Sequence, residues 1–427
     1  MLVFEYKAYG KQQQFDAVDE VIRTVQFVRN KCLRLWMDRG GNSQYDLNKY
    51  CTILAEEYPF ADELNSMARQ ASAERAWSAI AKFYAALASS RGTLTPVAVD
   101  CGKPSCSAGS PTQCLDNCKK QMPGKKGYPQ FQHDNRSVEY KTSGWKLASS
   151  RSSITFTDKK GIGKLKLKGT RDLHFYQPEQ IKRIRLVKRA DGYYVQFCIQ
   201  VDRSESVEPS GIAIGLDVGL SDFYTDSNGK TVDNPRFLRK GEQRLKKAQR
   251  LVSKRVKKSS NRRKARLILG KRHLKISRQR KDHAVKLARC VITSNDVVAY
   301  EDLRIKNMVK NHNLAKSIND ASWYMFRVWL EYFGKVFGKI TIAVMPNGTS
   351  QECSSCGAIV KKTLSTRTHV CACGCALDRD ENAARNILSR GLSTVGHTGT
   401  LALDASNAWG EATSTLAGAI LSEQVAS

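Results

Sequence analysis

The chain has 427 residues, about three domains on the usual prior, and carries 70 Lys and Arg against 40 Asp and Glu, a net charge of +30. A charge of that size calls for a polyanionic partner or a strong reason to tolerate self-repulsion. No apolar run approaches the ~20 residues that span a bilayer, and the opening stretch MLVFEYKAYGKQQQFDAV lacks the basic, apolar and small-residue order of a secretory leader, so a cytoplasmic protein is expected.

In chain order, an alternating strand at Leu2 to Tyr6 leads into a helical pattern through Phe15, Val18, Ile22, Val25, Val28, Cys32 and Trp36. Two or three more helices are expected within Leu47 to Glu57 and Glu63 to Ser89, ended by Gly92 and Pro96. From Val97 to Asp202 the character turns to β, with ITFTD, KLKLKG and IKRIRLVKRADGYYVQFCIQVD, in which Asp191-Gly192 joins two alternating runs as a hairpin. Glu208 to Gly211 reads as a linker.

After the linker, IAIGLDVGLSDFYTDSNG is a buried apolar strand that carries one acid, Asp217, followed by a second strand and a turn. VVAYEDL is another apolar strand, ending at Glu301. The third acidic signal is DRDEN at a helix start. Ala383, Ala384, Ile387 and Leu388 lie three, four, seven and eight residues after Asp380, which places Asp380 on the apolar stripe and points Asp378 and Glu381 elsewhere. Two acids at the ends of buried strands plus one on the inner face of a helix is an arrangement suited to two Mg²⁺ ions about 4 Å apart for phosphodiester hydrolysis.

Between the first two acids lies the basic block. From Arg239 to Arg289 there are 22 Lys or Arg against Glu242 and Asp282. Leu245, Leu251, Val252, Leu267, Leu269, Leu274, Val285 and Leu287 supply apolar positions, and a break at Ser259-Ser260-Asn261 divides the block into two long helices. Lys246, Lys247, Arg250, Lys254, Arg255, Arg262, Arg263 and Lys264 are candidate phosphate contacts.

The 13 cysteines should be reduced in the cytoplasm, so clusters among them read as metal ligands. TSQECSSCG supplies Cys353 and Cys356, and CACGC supplies Cys371 and Cys373, with Cys375 as an alternative; this is zinc-ribbon spacing, and four sulfurs make the ion structural. CGKPSCSAGSPTQCLDNC holds Cys101, Cys106, Cys114 and Cys118, which are either a second zinc knuckle or reduced thiols in a loop. Cys32, Cys51, Cys198 and Cys290 sit in apolar patterns and are expected in cores. The end of the chain, small and nearly uncharged, is expected to be disordered after about Gly391.

GLDVGLSDF with Asp217, YEDLRIKNM with Glu301, TSQECSSCG and CACGCALDRDENAARNIL together resemble the TnpB family, RNA-guided DNA endonucleases of bacterial insertion sequences related to compact type V CRISPR effectors. FVRN (27–30) and GYPQF (127–131) agree more weakly, and Tyr332-Phe333 stands where many relatives have Tyr-Lys. The resemblance implies a multidomain α+β chain. Its parts would be a wedge first strand at 1–10, a helical recognition domain at 11–92, and the rest of a wedge β-barrel at 93–205 with the Cys-rich insertion. A RuvC-like nuclease of the RNase H fold would follow at 206–345 and 377–392, split by a zinc ribbon at 346–376, with a disordered tail at 393–427. It further implies a guide RNA from the end of the mobile element and a double-stranded DNA target with a flanking motif; the oligomeric state is left open by the sequence, with a monomer favoured. The other function classes are a nuclease-silent RNA-guided DNA-binding repressor or accessory protein and a conventional transposase.

Overall fold

The computed structural model describes residues 2–90, 127–363 and 366–398, and it divides into two compact units, Met1–Asp202 and Arg203–Ser427. The mixed α/β multidomain character expected from the sequence is present in both. Cys101, Cys106, Cys114 and Cys118, and the tail beyond Thr398, lie outside the described residues.

In the first unit, β1 (Leu2–Tyr9) precedes helices α1 (Gln12–Arg39), α2 (Gln44–Glu57), α3 (Pro59–Asp62) and α4 (Ser66–Ser90). Helix α1 buries Val18, Ile22, Val25, Val28, Cys32 and Trp36, the 3.6-residue stripe of the sequence. The later part of that stripe, Val28, Cys32 and Trp36, joins Leu47, Leu54, Ile80 and Phe83 in one helical core. Strands β2 (Ser137–Tyr140), β3 (Trp145–Leu147), β4 (Ser153–Phe156), β5 (Gly163–Lys168), β6 (Ile181–Arg189) and β7 (Gly192–Ile199) join β1 in an antiparallel sheet of order β2-β6-β7-β1-β5-β4-β3. The first strand therefore sits mid-sheet, with Leu2 opposite Ile199. The β6–β7 hairpin closes with Arg189 opposite Gly192, whose φ of +135° suits glycine.

The second unit is built on a five-stranded sheet of β8 (Ala213–Asp217), β9 (Asp222–Asp226), β10 (Thr231–Asp233), β11 (Val297–Glu301) and β12 (Ile340–Val344), in the order β10-β9-β8-β11-β12. The first three form an antiparallel meander; β11 then runs parallel to β8, and β12 parallel to β11. Helices α5 (Phe237–Ser253), α6 (Ser260–Ser294), α7 (Ile305–Met308), α8 (His312–Ala321) and α9 (Trp323–Phe337) lie between strands in sequence, and α10 (Arg379–Thr398) ends the described chain. Before α10 comes a small hairpin, β13 (Thr368–Val370) and β14 (Ala376–Asp378).

Side-chain parity sorts the two faces of this sheet. Ile214 and Leu216 of β8, with Val298 and Tyr300 of β11, join the large core formed with α6 and α9. The alternate residues Ala213, Val297 and Ala299 pack on the other side, against Ile387, Leu388 and Leu392 of α10. By the same alternation, Asp217 and Glu301 belong to the α10 side.

Several expectations need correction. Helix α10 continues to Thr398, past the point where the tail was expected to begin, because Ile387, Leu388 and Leu392 carry its stripe along the sheet. Leu267 is 46% exposed, since α6 presents Ala265, Ile276, Ala284 and Ala288 to the core instead. Cys290, on the same helix, is exposed, whereas Cys32, Cys51 and Cys198 are buried. Among the described residues, no helix is long and apolar enough to cross a membrane.

Candidate functional site

Asp217 closes β8 and Glu301 closes β11, and because these strands pair in parallel with Tyr300 opposite Leu216, both acids emerge at the same edge of the sheet. The C-terminal edge of parallel strands is where open α/β sheets place their sites. Asp380 reaches the same edge from the first turn of α10, whose Ala383, Ala384 and Ile387 are buried against the sheet.

The electrostatics tie the three acids together. Burial, then the Glu301 carboxylate and then that of Asp380, push the Asp217 carboxyl well above its usual range. Glu301 is also raised by burial, opposed by a hydrogen bond from Thr349 and by the charge of Arg390. Asp380 pairs with Arg379 at 2.9 Å and with Arg367 at 3.4 Å, and Arg367 also donates to Ser221 Oγ in the loop after β8. Carboxylate oxygens are the donor type that Mg²⁺ takes, and Asp217, Glu301 and Asp380 are the residues that could hold it.

Asp378 is exposed and ends strand β14, so it is not a helical residue as expected. Its Oδ1 accepts from the Asp380 amide at 2.8 Å and the Glu381 amide at 3.4 Å, which makes it the cap of α10.

Cys353, Cys356, Cys371 and Cys373 bring their sulfurs within 4.8 Å of one another, a Cys₄ cluster compatible with zinc. The Cys353–Cys373 and Cys356–Cys371 sulfurs lie 3.7 and 3.5 Å apart. A sulfur tetrahedron with Zn–S bonds of about 2.3 Å has edges of about 3.8 Å, so the set is nearly closed for the ion. Burial opposes ionisation of Cys353, but the backbone N–H groups of Ser355 and Cys356 outweigh it and bring the thiol down to about 5. Cys375 groups instead with Cys353 and the fully buried His369, a residue the cysteine spacing does not reveal.

The ribbon is fastened to α10 by residues that motif reading passed over. Asn382, Asn386 and Arg390 recur every fourth residue and so share one face. Asn382 donates to the Glu352 carbonyl and accepts from the Ser354 amide, Asn386 donates to the Thr349 and Glu352 carbonyls, and Arg390 donates to those of Met345 and Asn347. The signal in the sequence is a pair of asparagines four apart in DENAARN, both of them buried.

Of the basic candidates, Lys246, Lys247, Arg250, Lys254, Arg255, Arg263 and Lys264 are exposed on or beside α5 and α6. Lys246 pairs with Glu242 at 3.0 Å. Arg262 differs: its guanidinium donates to the carbonyls of Val252 and Arg255, joining the end of α5 to the start of α6.

Two family models divide this site between them. The OrfB_IS605 model, described as a probable transposase, matches residues 196–312, which include Asp217 and Glu301. The Cas12f1-like TNB domain matches residues 323–387, which include the four cysteines and Asp380. A Streptomyces pristinaespiralis protein named "Putative RNA-guided DNA endonuclease" is 37% identical over 209 residues, 48% of this chain and 51% of the relative. The Escherichia coli K12 protein named "Putative RNA-guided DNA endonuclease InsQ" is 29% identical over 228 residues, 49% of this chain and 57% of the relative. The chain thus spans about half the length of the curated relatives it matches. A solved Cas12f1–sgRNA–target DNA complex aligns over 88% of this chain and 81% of that chain at a TM-score of 0.47 and 14% identity. Both family models and the named relatives fall on the motifs that carry the resemblance to the TnpB family and agree with it.

Proposed function

We propose that this chain is an RNA-guided DNA endonuclease that hydrolyses phosphodiester bonds at Asp217, Glu301 and Asp380, with two Mg²⁺ ions as cofactors and one structural zinc in the ribbon. The observation that carries the reading is the convergence of the three carboxylates: two at the ends of neighbouring parallel strands, one on the helix laid over them, with Asp217 raised by burial and then by the charges of Glu301 and Asp380. Bound there, the metals would supply an activated water and a stabilised leaving 3′ oxygen. Asp217, Glu301 and Asp380 would together hold the ions, and hydrolysis would leave a 5′ phosphate and a 3′ hydroxyl.

The names of the curated relatives support guided DNA cleavage, and the exposed bases of α5 and α6 supply the charge to hold a guide RNA and its heteroduplex by backbone and shape. On this reading the first unit holds the helical recognition part and a wedge barrel that read the guide scaffold and the flanking DNA motif. The second holds the RuvC-like nuclease interrupted by its zinc ribbon, and the protein works as a monomer in the cytoplasm.

The test is cleavage and binding by the protein with its copurified RNA, after that RNA has been sequenced. Asp380→Ala is expected to abolish Mg²⁺-dependent cleavage and to keep guided DNA binding, because it deletes a metal ligand and leaves the phosphate-contacting surface intact. Cleavage at the wild-type rate by Asp380→Ala would refute the three-acid site. Guided binding by the wild type with no cutting in Mg²⁺ or Mn²⁺ would establish the nuclease-silent binder instead.

A further inference from the structure

Thr349 lies between β12 and the first zinc knuckle and is 4% exposed. Its Oγ1 stands 2.7 Å from Glu301 Oε1 and 3.3 Å from the Pro346 carbonyl. A hydroxyl has one proton to give, and toward an ionised carboxylate the shorter, charge-assisted bond takes it. The threonine is itself held in place: its carbonyl accepts from Asn386 Nδ2 at 2.8 Å, and the same nitrogen donates to the Glu352 carbonyl at 2.7 Å. Glu352 directly precedes the zinc-type ligand Cys353, and the Ser354 amide that follows donates to Asn382 at 3.0 Å.

A continuous run of bonds thus leads from the cysteine knuckle through Thr349 to the carboxylate at the end of β11. We propose that Thr349 is the positioning residue of Glu301, and that the zinc ribbon, strapped to α10 by Asn382 and Asn386, sets the direction in which this carboxylate meets a divalent cation. This rests on the reading of Glu301 as a metal ligand. A carboxylate with one oxygen engaged no longer turns freely about its last bond, so its second oxygen is presented in one direction; without the hydroxyl that order has to be created when the ion binds. Partners of this kind typically contribute 10- to 100-fold in metal affinity. The ribbon then has a role in the nuclease site beyond its own folding, which explains why a buried hydroxyl and two buried asparagines are invested in its attachment.

The experiment measures Mn²⁺ binding to the full chain, freed of RNA by nuclease and high salt, by the electron paramagnetic resonance of unbound Mn²⁺, with zinc content read on each sample. Thr349→Val keeps the shape and removes the donor, and is expected to weaken Mn²⁺ binding roughly 10- to 100-fold while zinc is retained. Thr349→Ser keeps the hydroxyl and is expected to bind within about threefold of wild type. Thr349→Ala, which adds no apolar bulk beside the acid, is the second variant and is expected to lose as much as Val. Wild-type Mn²⁺ affinity in Val and Ala, with Glu301→Gln weakened, would overturn the positioning role and leave the three-acid site standing. Wild-type affinity in Glu301→Gln would remove Glu301 from the ligands, and both conclusions would fall together.

Discussion

Gly215 of β8 and Ala384 of α10 meet backbone to backbone: a β-carbon on the glycine would stand 2.1 Å from the Ala384 carbonyl oxygen and 2.8 Å from the Leu388 amide nitrogen. Two residues after Gly215 comes Asp217, and four residues before Ala384 comes Asp380, so this close approach sets the separation of two of the acids. Gly215→Ala is expected to lift α10 from the sheet, at a cost of about 1–3 kcal/mol or more in stability. It should lose most cleavage although all three carboxylates remain. Thermal unfolding and a cleavage assay on the same preparation check both; an unchanged melting temperature would show that the helix yields without cost.

Asp217 carries a buried charge at a cost in stability. Its folded carboxyl is raised above the unfolded value by burial, Glu301 and Asp380. The folded state therefore binds this proton more tightly than the unfolded chain does, and the contribution of Asp217 to stability falls as pH rises from the ordinary Asp range, about 3.9, through the raised one. Asp217→Asn removes the buried charge and is expected to raise stability near pH 7, with a smaller effect near pH 4, while cleavage is lost. Denaturant melts of both proteins at the two pH values decide it, and a variant less stable than wild type at neutral pH would contradict the sign.

Asp378 and Asp380 sit two residues apart and have different work. Asp378→Ala is expected to cost about 1 kcal/mol through removal of the cap and to retain measurable cleavage. Asp378→Asn, still able to accept from the amides of α10, should cost less. If Asp378→Ala instead silenced cleavage at unchanged stability, Asp378 would have to be counted among the metal ligands.

Zinc content separates the sulfurs. Purified protein is expected to lose about one zinc per chain in Cys356→Ser or Cys373→Ser. Cys375→Ser should keep it, because Cys375 groups with Cys353 and His369 and not with the four. Elemental analysis reads the outcome; loss of the ion in Cys375→Ser would redraw the ligand set.

Neutralising Lys246, Lys247, Arg250, Lys254 and Arg255 together is expected to flatten the dependence of nucleic-acid affinity on salt, by up to about 0.9 in log–log slope for each phosphate that is no longer neutralised. Arg262→Gln should leave the slope near wild type and lower stability, since its guanidinium is engaged with the Val252 and Arg255 carbonyls. An unchanged slope in the fivefold variant would place the nucleic acid elsewhere.

What could be read along the chain is what depends on near neighbours in sequence. The apolar stripe of α1, the helix break at Ser259 and the Cys353–Cys356 knuckle are patterns a few residues long, and local periodicity, capping chemistry and ligand spacing suffice to recognise them. Asp380 could be placed on the inner face of its helix for the same reason. The order of strands could not: β1 lies between β5 and β7, partners more than 150 residues away, and the parallel register of β8 and β11 brings Asp217 level with Glu301 across the whole basic block. Nor could sequence show which groups hold Glu301 through Thr349, spend Arg262 on carbonyls, or move Asp378 from helix to cap. Pairing across long loops and the hydrogen bonds of single buried side chains are settled by what the folded chain brings within about 3 Å, a distance that spacing along the chain does not encode.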